Sequence, residues 1–322
     1  MKQSIILFAA ALAFAACSQD SEDRSQDSNI IQLSAAISGG DDVKAGTRAY
    51  DATEANYQNT QFLSDKGIFV EAYDHGTGAA YANSTSTYTT TSTAGTETGS
   101  IQLSGTIYYP ASGNNVDILA FYPSSVSSSD DTFPESGDIS DQTTIAAYQG
   151  FDLMYADKLS NKAKDTRHGL TFHHALAQIK VVLTPGNGVT AEEVASKVTA
   201  VTIKNTVPVA TISTNTSTGI ITAEPKDGTD VKDIEILGNK ATNIGLIVPQ
   251  NVAKDKAFVS IAYTGSVNGR LTYSIPEVDG KTFAAGKTYT YTFAVNAATI
   301  ELQSLVITNW DPQTGGSGDF TI

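Results

Sequence analysis

"KTYTYTFAV", residues 287–295, alternates without a break: Tyr289, Tyr291, Phe293 and Val295 fall on one side, Thr288, Thr290, Thr292 and Ala294 on the other. A period of two is the pattern of a strand with one buried face, and Thr, Tyr, Phe and Val suit a pleated surface. Upstream the same pattern recurs in short runs parted by Gly, Pro, Asn, Asp and Ser. "KGIFVEAYD" (66–74), "GSIQLSGTIYYP" (99–110) and "NVDILAFYP" (115–123) each read as a strand. Further strands are expected at 198–205, 207–213, 218–222, 243–249, 256–263 and 270–275, with 81–98 a strand carrying a loop and 124–141 a loop. "TAEEVASKV" (190–198) is the one helix candidate, with Thr190 as N-cap and Glu193 as its capping-box partner. Many short strands with regular turn signals specify an all-β sandwich or barrel. At 322 residues two such domains are expected, parted in the polar connector at 157–167.

Composition narrows the partners. A net charge of −14 argues against nucleic acid and anionic lipid surfaces, both of which require basic patches. A charged fraction of 17% with abundant Thr, Ser, Gly and Tyr suits an extracellular β protein.

The N-terminus has the layout of a secretory signal over residues 1–16: Lys2, an apolar run from Ile5 to Phe14, then Ala15 and Ala16. That run is shorter than the roughly 20 residues a spanning helix needs. It ends at Cys17, the only cysteine, and Ala15-Ala16-Cys17 resembles a bacterial lipobox with Phe14 in place of the commoner leucine. Acylation there would anchor the chain, since each buried methylene contributes ~0.8 kcal/mol. With Cys17 acylated, no disulfide forms within the chain. "SQDSED" (18–23) and the polar residues to Asn29 read as an acidic tether. Its acidic start also resembles the surface-export signal of Bacteroidetes lipoproteins.

A strand precedes the body of the protein. In "IQLSAAIS" (31–38), Ile31, Leu33, Ala35 and Ile37 alternate with Gln32, Ser34, Ala36 and Ser38. "GGDD" and "VKAGTRAY" follow, a turn and a linker open to proteases.

No catalytic or metal-binding residue emerges. His173 and His174 are adjacent, so on a strand they face opposite ways and cannot share a metal. His75 and His168 lack Cys or carboxylate at zinc-ligand spacing. "DGTDVKD" (227–233) and "DPQTGGSGDF" (311–320) bunch carboxylates with glycine, but neither has the EF-hand pattern and both read as surface turns. No G-x-S-x-G elbow, P-loop or H-E-x-x-H is present. A pair of glycosidase carboxylates could be drawn from so many acidic residues, but nothing singles one out.

Together, the lipobox, the early strand, "TRA" (47–49), "DLMYA" (152–156), "LTFHHALAQIKVVL" (170–183) and "ITNW" (307–310) resemble the fimbrillin family, the type V pilins of Bacteroidetes. The most specific piece is F-x-H-x-L-A-x-I, here Phe172, His174, Leu176, Ala177 and Ile179. The resemblance implies two tandem β-sandwich domains of transthyretin-like topology, here 49–165 and 166–322, behind a removable segment at 17–48. It implies a non-enzymatic pilus subunit, carried to the outer membrane on its lipid and then cut by a trypsin-like protease after Arg48, leaving Ala49 as the new N-terminus. The strand Ile31, Leu33, Ala35, Ile37 would leave with the lipid, and a strand of another fimbrial subunit would take its place. No cofactor is implied. The other reading is a lipoprotein that stays anchored and binds a glycan or host protein without polymerising.

Lipidation is checked by metabolic labelling with a palmitate analogue, which should tag the wild-type chain and miss Cys17→Ser. Equal labelling of the two would refute the anchor.

Overall fold

The computed structural model describes residues 29–38, 62–91, 100–238, 241–310 and 320–321; Cys17, Arg48 and Ala49 lie outside them. The strands of the first half are β1 (Gln32–Ile37), β2 (Gly67–Asp74), β3 (Ala80–Thr91), β4 (Ile101–Ser104), β5 (Val116–Tyr122), β6 (Thr132–Phe133) and β7 (Asp141–Gln142). Helix α1 (Ile145–Gly150) leads to β8 (Met154–Ala156), β9 (Leu159–Lys162) and β10 (Arg167–His174). After β11 (Ala177–Pro185) and helix α2 (Ala191–Lys197) come β12 (Val198–Thr206), β13 (Ala210–Thr214), β14 (Ile221–Pro225) and β15 (Lys232–Gly238). The chain continues through β16 (Thr242–Ile247), β17 (Gln250–Val252), β18 (Ala257–Tyr263), β19 (Arg270–Ser274) and β20 (Lys281–Phe283). It ends in β21 (Lys287–Val295), β22 (Ile300–Asn309) and β23 (Phe320–Thr321). The class is all-β, as the alternation indicates. In β21 the side Tyr289, Tyr291, Phe293, Val295 is buried and the threonine side half-buried. Helix α2 starts as its sequence dictates: Thr190 Oγ1 accepts from Glu193 N–H at 3.2 Å, and Glu193 Oε2 accepts from Thr190 N–H at 2.9 Å.

The first sheet runs β2-β3-β4-β1-β10-β8-β5-β9, and β5 also pairs with β2. The sheet therefore closes on itself, with β9 outside the ring. The second sheet runs β19-β18-β12-β15-β16-β11-β21-β22-β23, with β7 added beside β15. Small sheets β14-β13-β6 and β17-β20 complete the described pairings. The stretch 157–167, read from sequence as a connector, holds β9 and the start of β10. Its polar side chains lie on β9, an edge strand that pairs with β5 alone and has no buried residue, and on the turn from β9 into β10. The chain passes from one sheet to the other at Ala175–Leu176, between β10 and β11.

Two buried cores result, and β5 is the wall between them. Val116, Ile118, Ala120 and Tyr122 enter the core inside the closed ring, while Leu119 and Phe121 enter the other. Burial on both faces explains why "VDILAFY" reads as an unbroken apolar run. The excursion after β5 stitches the first half to the second: β6 pairs with β13, and β7 with β15. Gln142 on β7 is fully buried. Its Nε2 donates to Ile139 O at 2.9 Å and Leu246 O at 2.8 Å, and its Oε1 accepts from Leu246 N–H at 2.7 Å. The side-chain amide thus acts as a further strand residue alongside β16.

Replacing Gln142 by alanine leaves the Leu246 backbone groups buried without these bonds, at about 1–3 kcal/mol for each stranded group. The urea midpoint should fall accordingly with an unchanged slope. A midpoint equal to that of the wild type would show that the stitch contributes nothing.

Candidate functional site

The strand β1 occupies a slot that closes the ring. On one side it runs parallel to β10, from Gln32 opposite Arg167 to Ile37 opposite Phe172. On the other it runs antiparallel to β4, with Leu33 opposite Leu103, Ser34 opposite Gln102 and Ala35 opposite Ile101. Strict alternation sets its faces. Ile31, Leu33, Ala35 and Ile37 are 0%, 0%, 1% and 1% exposed inside the ring, while Gln32, Ser34, Ala36 and Ser38 face the half-buried exterior. Backbone bonds hold both ends: Ile31 N–H donates to Ile107 O and Ser38 N–H to Phe172 O, each at 2.8 Å.

Three aromatic residues add grip. The buried Tyr88 hydroxyl donates to Ile31 O at 2.9 Å across 57 residues of chain. Burial pushes its acidity well below that of a free phenol. Gly105 makes room for that ring, because a Cβ there would stand 2.4 Å from it. Tyr109 donates its backbone N–H to Asn29 O at 2.9 Å, and its hydroxyl to Ala163 O at 2.7 Å. Burial lifts its pKa to about 12, and the His168 ring beside it is pushed down, mainly by desolvation. At the far end Phe62 packs edge-on against Phe172, with centroids 5.0 Å apart. Arg167 Nη1 donates to Leu33 O at 3.2 Å. A hollow of about 370 Å³ flanks the start of β1 between Gln32, Gln102, Ser104 and Arg167.

The slot depends on its occupant. Burying Ile31, Leu33 and Ile37 is worth ~1.5–3 kcal/mol each, roughly 5–9 kcal/mol together. A whole domain is stable by only about 5–15 kcal/mol. Without β1 the ring opens, exposing the β4 and β10 edges and the aliphatic floor between them. The residues Arg167–Thr171 lose their strand partner, since β8 pairs with β10 only at Phe172–His174. Among the described residues, what remains there is a backbone bond from Asp157 N–H to Thr171 O at 3.1 Å and the His168 ring, 3.0 Å from Ala163 O. Such a groove recognises an extended strand with apolar residues at alternate positions.

The histidines take structural places. His173 faces outward with Nε2 3.1 Å from Asp157 Oδ2, and His174 faces inward with Nδ1 2.8 Å from Asp152 Oδ1. His75 Nδ1 lies 2.7 Å from Asp117 Oδ1. Among the described residues no three His, Cys, Asp or Glu side chains gather as a metal site. Of the residues singled out from sequence, the structure brings together Ile31, Leu33, Ala35 and Ile37. It adds Tyr88 and Arg167, bonded to Ile31 and Leu33, and around them Gly105, Tyr109 and Phe62, all at sequence distances no local pattern signals.

The comparisons place the chain among known proteins. Residues 47–310 match the model of the fimbrillin-like family. A chain of Bacteroides uniformis assigned as fimbrium subunit Fim1C is 26% identical over 335 aligned positions, covering 98% of each chain. A crystal structure assigned as a cell adhesion protein of Bacteroides uniformis superposes with a TM-score of 0.63 at 25% identity, over 87% of this chain and 99% of that one. One from Bacteroides ovatus, assigned likewise, gives 0.59 at 16% identity, over 88% and 98%. The match to the family model spans most of the sequence: the chain belongs to the fimbrillin-like family, whose members are fimbrial and cell-adhesion proteins rather than enzymes.

Proposed function

We propose that this fimbrial subunit is delivered to the outer membrane as a lipoprotein acylated at Cys17, and that it polymerises by exchanging β1 for a strand of another subunit. Residues 1–16 are the signal, and 17–48 form the pro-segment holding the tether and β1. Two β-sandwich domains of transthyretin-like topology follow, 49–165 and 166–322. Cleavage after Arg48 cuts the covalent link between β1 and the body. The partners are then other fimbrial subunits, and the final location is the fimbrium at the cell surface.

The observation that carries this reading is the double pairing of β1. The strand is fully buried on one face and bonded on both edges, yet residues 39–61 separate it from the next described part of its own sheet. A strand so placed contributes much of a domain's stability and can be severed from it by one cut. The emptied slot then favours any strand that restores the lost burial, so assembly proceeds without nucleotide hydrolysis. Neither glycan nor host protein has a comparable surface feature in its favour among the described residues.

Low-dose trypsin should cut after Arg48 before other sites. The product beginning at Ala49 should form ladders that survive mild detergent, because inserted strands share continuous backbone hydrogen bonds. Arg48→Ala should stay monomeric under the same treatment. A cut product that remains monomeric and as stable as the intact chain would overturn strand exchange.

A further inference from the structure

His174 is the last residue of β10, the strand that pairs along its whole N-terminal part with β1. Leu170, Phe172 and His174 share the buried face of that strand. Phe172 is held by the Ser38 N–H on its carbonyl and by Phe62 edge-on against its ring. Two residues on, the His174 ring meets two other parts of the chain. Its Nδ1 lies 2.8 Å from Asp152 Oδ1, with both side chains at 0% exposure. Its plane stacks on the Trp310 indole, 3.6 Å between centroids and 5° from parallel. Trp310 is 4% exposed and directly follows β22, and its backbone N–H donates to Gly286 O at 2.8 Å just before β21. One imidazole therefore joins the groove strand of the first sheet to the end of β22 in the second, at the point where the chain crosses between sheets.

We infer that the Asp152–His174–Trp310 stack couples occupancy of the β1 slot to the anchoring of β22, so that emptying the slot loosens residues 300–310. The inference rests on the removable-strand reading. The two-state element is β10. With β1 present, Arg167–Phe172 is paired and holds His174 in register against the indole. With β1 gone, only β8 pairs with β10, at Phe172–His174, and the freed strand carries the imidazole with it. Coupling between sites is reciprocal, so breaking the stack must in turn weaken the hold on β1. His174 and Trp310 are positioning residues in this device.

The full-length chain and its Ile37→Asp variant, which cannot bury that position, are compared by hydrogen exchange read on peptides. Exchange should rise in 167–171 and also in 300–310, by about 5–150-fold for typical coupled sites, while 256–274 in β18 and β19 stays at the wild-type rate. The emission of Trp310, the only tryptophan, should shift to the red in parallel. Trp310→Ala should accelerate exchange in 31–38, and Trp310→Phe, which keeps an aromatic face on His174, should restore most of the protection. If Ile37→Asp unfolds the whole chain, the Trp310 pair alone decides. Faster exchange in 167–171 with 300–310 unchanged overturns the coupling and leaves the removable strand standing. No change in 167–171 overturns both. Loss of 31–38 protection that Trp310→Phe does not restore also sinks the coupling, because the stack would not be its cause.

Discussion

The parallel pairing of β1 with β10 is the contact on which the first half of the molecule depends. Parallel neighbours cannot be joined by a tight hairpin, and here Gln32 faces a residue that lies beyond the whole of the first sheet's other strands in sequence. The strand pairings of β1 are all non-local among the described residues, and so is its bond from the Tyr88 hydroxyl. A strand held only by distant partners has no short loop tethering it to its slot. Its place is set by side-chain alternation and edge hydrogen bonds, and any strand that supplies both meets the same requirements. Specificity for register follows from the same pleat. A slip by one residue would turn Ile31, Leu33 and Ile37 outward and bring Gln32 and Ser34 into the core.

Closure of the ring ties this local exchange to the rest of the fold. Because β5 pairs with β2 on one side and with β8 and β9 on the other, its two faces belong to two cores. Leu119 and Phe121 pack with residues of the second half, and Phe133, Ile139 and Tyr148 follow them there. Fixed neighbours on both faces of one strand leave the halves little freedom to move apart. In the proposed exchange the shared wall holds β2, β5 and β8 in place, so that the change at the β4–β10 gap reaches the second half through β10.

Much of this was legible in the sequence wherever a face is buried on one side only. β21, β1 and the α2 capping box appear where alternation or cap chemistry indicates, because their physical causes are local. Strands buried on both faces, such as β5, were recognisable as strands but not as walls between cores. β9 and the start of β10 were hidden because a short edge strand and a turn carrying Asn, Lys and Asp resemble a connector. The closed ring, the reach of Tyr88 to Ile31, and the Trp310 stack on His174 join residues far apart in the chain. No window of sequence contains both partners, so only the folded arrangement reveals them. Even so, Phe172 and His174, the most specific positions of the family resemblance, prove to lie at the end of the groove and at the crossing between sheets.

The lone cysteine gives the energetics their direction. A disulfide within a domain commonly adds about 2–4 kcal/mol, enough to carry a small sheet through the loss of one strand. Cys17 precedes every described strand and has no second thiol to pair with, so no such crosslink braces the ring. Stability rests on burial, and the share supplied by Ile31, Leu33 and Ile37 is comparable with the whole margin of a typical domain. A crosslinked body would tolerate an empty slot and gain little from refilling it. In the proposed exchange, an uncrosslinked one would be driven to accept a replacement strand by the same burial that held the first.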